Sequence, residues 1–229
     1  MWYCFWRIQK DIFKIMKKIF FSIIILSSVA CKKNPEKFVN DHTDSSRKVT
    51  DSAKNTILNN ALVSKEESLK KLNEGIIHSL KEKNYNNFSE YIHPQKGVRF
   101  SMCAFINPAE DKKFSKADFK KYQPGKTIFT WGSMDGSGDL YKTTINDYLG
   151  KWVYSTDFAM GQFSLNEFQG SGNSLNNLKK IYPDADFTEN FIKGSEANAG
   201  MDWKCLRLVF EEYQGKYYLV GVINDQWTI

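Results

Sequence analysis

His93, Arg99, Trp131, Asp135, Asp202, Arg207 and Asp225 are the side chains whose types and neighbours could carry chemistry in this chain. His93 precedes Pro94 and stands six residues before Arg99, a combination suited to proton transfer or anion binding. Asp202-Trp203, Arg207 and Asp225-Gln226-Trp227 set charges beside large aromatics, as pockets for polar ligands do. The plain alternative is a partly buried salt bridge between neighbouring strands. A hydrolase-like site would have to use His93 with Asp135, Asp202 or Asp225, and no nucleophile elbow points to a serine. Set against this, a histidine before proline reads as a helix-end residue satisfied by backbone. The catalytic set stays unassigned, and binding without catalysis is the leading expectation.

The loop Asp135-Gly136-Ser137-Gly138-Asp139 places acids around glycines, as cation loops do. The EF-hand pattern fails here, because its glycine position holds Leu140 and its closing glutamate position Asn146. No Lys-Ser or Lys-Thr pair follows the glycines, so no phosphate loop is present. A glycine-rich turn between two elements is the expectation. Closely spaced histidines and cysteines are missing, so no metal and no cofactor is expected.

One residue near the N-terminus is expected to be modified. Met16-Lys17-Lys18 opens an apolar run, Ile19 to Val29, that is short for a membrane span and ends in Ala30-Cys31. That order reads as a bacterial lipoprotein signal: cleavage after Ala30, then a lipid such as palmitate on Cys31. Residues 1–15 fit none of the signal regions, which makes Met16 the expected translation start. Acyl chains contribute about 0.8 kcal/mol per buried methylene, so several of them anchor a protein stably. Lys32 and Lys33 follow the cysteine where an inner-membrane retention signal would carry aspartate, which points to the outer membrane of the bacterial cell envelope.

Charge excludes one class of partner. Of the formal +6, Arg7, Lys10, Lys14, Lys17 and Lys18 against Asp11 place +4 within residues 1–30, leaving +2 beyond. No basic stripe remains, so nucleic acid is not an expected partner. The membrane, through Cys31, and a ligand or envelope protein are. Cys103 and Cys205 fall in strand-like stretches, where they are either a disulfide or two small buried hydrophobes.

These residues need elements to hold them. Residues 31–62 are polar, read as the lipidated cysteine and a flexible tether, and reach on the order of 30 Å as a coil. Residues 63–229 are expected to form a single domain. Ser64 and Glu67 suggest a capping box, with Leu69, Leu72, Ile76 and Leu80 at helical spacing behind it. Gly97 to Asn107 alternates Val98, Phe100, Met102, Ala104 and Ile106 on one expected strand face. Ser115 to Tyr122 predicts a capped helix, Lys126 to Trp131 a strand, and Ile145, Tyr148, Leu149, Trp152 and Val153 the clearest amphipathic helix. Ser174 to Tyr182 predicts a helix stopped by Pro183, and Asp186 to Ile192 a strand. Lys204 to Tyr213 and Lys216 to Ile223 predict a hairpin about Gln214-Gly215, in which Leu206, Leu208 and Phe210 share a face, and so do Tyr218, Val220 and Val222. Helices first and strands last predict an α+β fold, N-terminal helices on a bent antiparallel sheet; an NTF2-like arrangement is the fold-level analogy.

Five blocks occur together: Tyr91–Ser101 (YIHPQKGVRFS), Thr130–Gly138 (TWGSMDGSG), Gly172–Asn177 (GNSLNN), Met201–Glu211 (MDWKCLRLVFE) and Leu219–Ile229 (LVGVINDQWTI). In this order they resemble a family of uncharacterised bacterial envelope lipoproteins, over residues 85–229. The resemblance implies envelope location and domain extent, and carries no activity. Where such sequences would place histidine before the final Asp-Gln-Trp, this chain has Asn224, which removes a terminal His-Asp pair.

Overall fold

The computed structural model describes residues 48–170, 172 and 175–228. Cys31 and its signal lie outside the described residues. Two compact units divide between Ser64 and Lys65. Of the first, the helical backbone from Lys48 is described. The second contains everything that follows.

Helix α1 spans Lys48–Lys81, so Ser64 and Glu67 lie within a helix and do not cap its start. The stretch 48–62, expected as tether, is helical. From Ser64 onward the sequence spacing holds: Leu69, Ile76 and Leu80 are buried, and Asn73 and Ile77 join them on the same face. A short helix α2 (Tyr85–Glu90) follows, capped by Asn84, whose side chain accepts from the Asn87 amide.

Six strands make the main sheet: β1 (Val98–Ser101), β2 (Lys112–Phe114), β5 (Gln162–Leu165), β6 (Asp186–Ile192), β7 (Lys204–Tyr213) and β8 (Lys216–Gln226), ordered β2-β1-β8-β7-β6-β5. Strand β1 runs parallel to β8 and every other pair is antiparallel, so the sheet is mixed. A two-stranded ribbon, β3 (Phe129–Ser133) and β4 (Leu140–Thr143), turns through the glycine loop. Helix α3 (Lys116–Tyr122) is capped as expected, Ser115 Oγ accepting from the Asp118 amide at 3.0 Å. The architecture is α+β: N-terminal helices, a large sheet and a long C-terminal hairpin.

Three expected elements differ, each for a local reason. The Gly97–Asn107 strand stops at Ser101. Its five apolar residues are all buried, but Ile106 packs in a second cluster with Leu178, Phe187, Val209, Val220 and Ile223, across the sheet from Phe100. The amphipathic helix is one α-turn, α4 (Ile145–Tyr148), continued by a π-turn over Leu149–Val153 that keeps Leu149 and Val153 inward. The third helix shortens to α5 (Leu178–Ile181). Strands β2, β4 and β5, three or four residues each, carry too little alternation to be seen in sequence.

The closing hairpin forms as expected, Gln214 and Gly215 both at positive φ (52° and 74°) in the tight turn. Its faces do not. Val209 pairs with Gly221 and Phe210 with Leu219, so Val220 is an extra residue on β8. This bulge swaps the two sides: Leu219 and Val222 meet the helices, whereas Val220 turns to the opposite cluster.

The core between helices and sheet is aromatic, with Phe88, Phe100, Phe119, Trp131, Tyr148 and Phe158 buried together. Trp131 and Tyr148 stack with centroids 3.7 Å apart and planes 1° from parallel. Each such ring contributes roughly 1.5–3 kcal/mol through burial. Among the described residues no helix is long and apolar enough to cross a membrane.

Candidate functional site

The seven candidate residues divide among six places. His93 is buried beside the hairpin turn. Its Nδ1 accepts from the amides of Gln95 (3.1 Å) and Lys96 (3.0 Å), and its ring packs on Tyr213 and Tyr218. Burial holds its pKa below the usual histidine value. The helix-end reading is the one the geometry bears out. His93 N also donates to Leu219 O, six residues up β8 from Asp225, about 20 Å at strand spacing. That separation rules out a His93–Asp225 pair.

Arg99, on β1, donates to Pro108 O at 3.0 Å and interacts with the Tyr182 phenol. Trp131 belongs to the core, its Nε1 donating to Thr143 O. Asp135 begins the β3–β4 turn, its carbonyl accepting from Ser137 N, with Gly136 and Gly138 at positive φ. Asp202 closes a surface loop: it accepts from Asn198 Nδ2 (2.8 Å), Ser195 N (2.6 Å) and Ser195 Oγ (2.9 Å), and these bonds lower its pKa to about 2.

Arg207 and Asp225 do converge, around a residue the sequence reading passed over. Glu189 on β6 stands in register with Arg207 on β7, and Arg207 with Ile223 on β8. All three charged side chains therefore point to the sheet face away from the helices. Arg207 Nε donates to Glu189 Oε2 at 2.6 Å and Nη2 to Asp225 Oδ2 at 2.9 Å, with Arg207 and Glu189 fully buried. Glu189 Oε1 accepts from Gln169 N (2.7 Å) and Gly170 N (2.6 Å), while Arg207 Nη2 also donates to Gly170 O (3.0 Å). The ring of Phe168 covers the guanidinium at 5.0 Å.

The cluster thus ties the segment 168–170 onto the sheet. Gly170 and Gly172 lie against Trp203, and a Cβ on Gly172 would come within 2.8 Å of its ring. That close approach is why the segment carries glycines there. Burial raises the Asp225 pKa to about 6, Arg207 opposing the shift. Cys205, on the same face, is buried with its thiol pushed well up in pKa, and neither Cys103 nor Cys205 is disulfide-bonded. Cys103 follows β1 in a turn, not a strand. The buried-salt-bridge alternative describes Arg207 and Asp225; a ligand pocket shared by the seven does not form.

An open groove lies elsewhere, on the helix-bearing face at the β5 edge. Its volume is about 480 Å³. One wall is α1, through Lys70, Glu74, Ile77 and His78; the other is the turn Phe158–Gly161 and Phe163 of β5. The floor is a pair of buried carboxamides. Asn73 Nδ2 donates to Asn190 Oδ1 at 2.9 Å, and Asn190 Nδ2 donates back to Asn73 Oδ1 at 2.9 Å. Thr188 Oγ1 donates to Asn73 Oδ1 at 2.7 Å, and Asn190 Nδ2 also reaches Leu206 O at 3.3 Å. Neither asparagine stands out in sequence: an asparagine on a helix carries no signal until the strand opposite is known. Among the described residues no group of His, Cys, Asp or Glu could hold a metal ion.

No protein-family model matches the chain, and no curated protein does. Among solved structures it is similar to an NTF2-like protein of unknown function from Shewanella oneidensis MR-1, with 9% identity and a TM-score of 0.30, over 71% of this chain and 99% of that one. At that score the likeness carries no argument about fold or function.

Proposed function

We propose that this chain is a lipid-anchored protein of the bacterial cell envelope, held through acylated Cys31 at the outer membrane, whose domain binds a ligand or envelope partner without catalysis. The anchor is supported by the run Met16 to Cys31, with its lysines, short apolar stretch and small residues before the cysteine. The binding half rests on one observation. The candidate residues are each committed to the fold, whereas the groove floored by Asn73 and Asn190 is open and polar at its base.

The anchor is tested by replacing Cys31 with serine in cells and following the protein through membrane fractionation with labelled palmitate. The wild-type chain is expected in the membrane fraction with label, and Cys31→Ser in the soluble fraction without it. Membrane retention of an unlabelled wild-type chain would refute the anchor.

A further inference from the structure

We propose that the groove between α1 and β5 binds an extended peptide, held at its floor by the C=O and N–H of one residue, paired with Asn73 and Asn190. The proposal rests on the binding-module reading above and names its ligand class.

The donor and acceptor inventory of the floor carries it. A carboxamide has two N–H donors and two acceptor lone pairs. Asn73 Oδ1 is saturated by Asn190 Nδ2 and Thr188 Oγ1, and Asn190 Nδ2 spends both hydrogens, on Asn73 Oδ1 and Leu206 O. Left over are the second hydrogen of Asn73 Nδ2 and the second lone pair of Asn190 Oδ1. Both side chains are nearly buried, 3% exposed each, and both line the groove. One donor beside one acceptor, neutral and fixed by reciprocal pairing, is the complement of one residue of an extended chain, whose C=O and N–H face the same side, the C=O accepting from Asn73 Nδ2 and the N–H donating to Asn190 Oδ1.

The walls fit the rest of a peptide. Ile77, Phe158 and Phe163 offer an apolar side. The charged rim is mixed, Lys70 with Glu74, and Lys81 already paired to Asp157 at 2.8 Å, so no net field selects an anion or a cation. Among the described residues strand β5 pairs with β6 on one side only and forms the sheet's edge, where an extended chain can add backbone hydrogen bonds. A volume of about 480 Å³ falls within the range of small-ligand sites.

The test is a titration of the full ¹⁵N-labelled chain in nonionic detergent with acetyl-Leu-Ala-Leu-amide, read on the side-chain amide signals of Asn73 and Asn190. Three controls accompany it: the analogue with the central amide N–H replaced by an ester oxygen, N-acetylglucosamine, and the groove-filling variant His78→Trp. Saturable shifts of both asparagine signals are expected, with affinity about fivefold lower for the ester analogue, the equivalent of one lost hydrogen bond. His78→Trp should abolish the shifts at an unchanged melting temperature. If that variant melts lower, Lys70→Trp on the same wall replaces it. Absence of saturable shifts at about 10 mM peptide, a Kd range of very weak sites, would overturn the proposal. So would undiminished binding by a folded groove-filled variant, or binding of the sugar and not of the peptide. Release of Cys31→Ser from membranes is independent of all these results, so the anchor and the peptide site fail separately.

Discussion

Asn73 of α1 and Asn190 of β6, 117 residues apart in sequence, face each other as a reciprocal carboxamide pair, with both hydrogen bonds at 2.9 Å. The pair fixes the helix on the sheet within an α1 face otherwise built on Leu69, Ile76, Ile77 and Leu80, and the Lys65–Asp186 ion pair at 2.9 Å adds a second polar tie between α1 and β6. Asn73→Ala strips partners from both Asn190 and Thr188. A destabilisation of about 2–3 kcal/mol is expected, one to two unsatisfied buried groups' worth. Asn73→Ala combined with Asn190→Leu and Thr188→Val, which removes every orphan, should recover part of it in denaturant titrations.

Breaking the buried ion cluster should be costlier than trimming it. Glu189→Ala leaves the fully buried Arg207 with a single carboxylate partner, Asp225, and frees the Gln169 and Gly170 amides, and a loss of about 3–5 kcal/mol is expected. Asp225→Asn keeps the Arg207–Glu189 bond and should cost clearly less. Urea midpoints of the two variants check the order.

Asp225 also sets a pH window. Its pKa, about 6 in the fold against an ordinary 3.8, means that the folded chain holds the proton more tightly than the unfolded one. The contribution is fully present below about pH 3.8 and is lost as pH rises through about 6. It amounts to at most about 3 kcal/mol. His93 has the opposite sign: with its pKa lowered by burial, it costs stability as pH falls through its ordinary value of 6.5. Asp225→Asn should therefore flatten the decline between about pH 4 and 6, measured by thermal melts across that range.

His93→Ala removes the acceptor for two backbone amides and a ring packed between Tyr213 and Tyr218. A loss of about 1–3 kcal/mol is expected, with binding of the peptide probe unchanged. Loss of binding in a variant that still melts cooperatively would return His93 to a functional role.

Much of the fold was legible where a sequence signal is local. The Asp186–Ile192 strand, the Ser115 cap and the Gln214-Gly215 hairpin were each read from a handful of neighbouring residues, and each stands as expected. What escaped was set by tertiary pairing. The extra residue at Val220 exists only relative to β7, and it reverses the faces that alternation assigns to Tyr218, Val220 and Val222. The π-turn at Leu149–Val153 buries the same residues as a regular helix, so spacing cannot tell them apart.

The site was legible in part for the same reason. Arg207 and Asp225 stood out as charges among apolar strand residues, which is where buried ion pairs occur. Glu189 sits in a strand with Asp186 and Thr188, and only the register that places it opposite Arg207 marks it as part of the cluster. Asp135 stands out in sequence through its glycine-rich loop and Asp202 through the neighbouring Trp203, and turns hold both. Asn73 and Asn190 have no sequence signature: their meaning lies in a hydrogen-bond count available only once α1 and β6 meet.

The most direct test of binding through the groove, rather than chemistry through His93, is complementation of a strain lacking the gene by His78→Trp and by His93→Ala, with protein levels matched by immunoblot. His93→Ala is expected to restore the wild-type phenotype and His78→Trp to fail. Restoration by the groove-filled chain together with failure of a folded His93→Ala chain would contradict the proposed function.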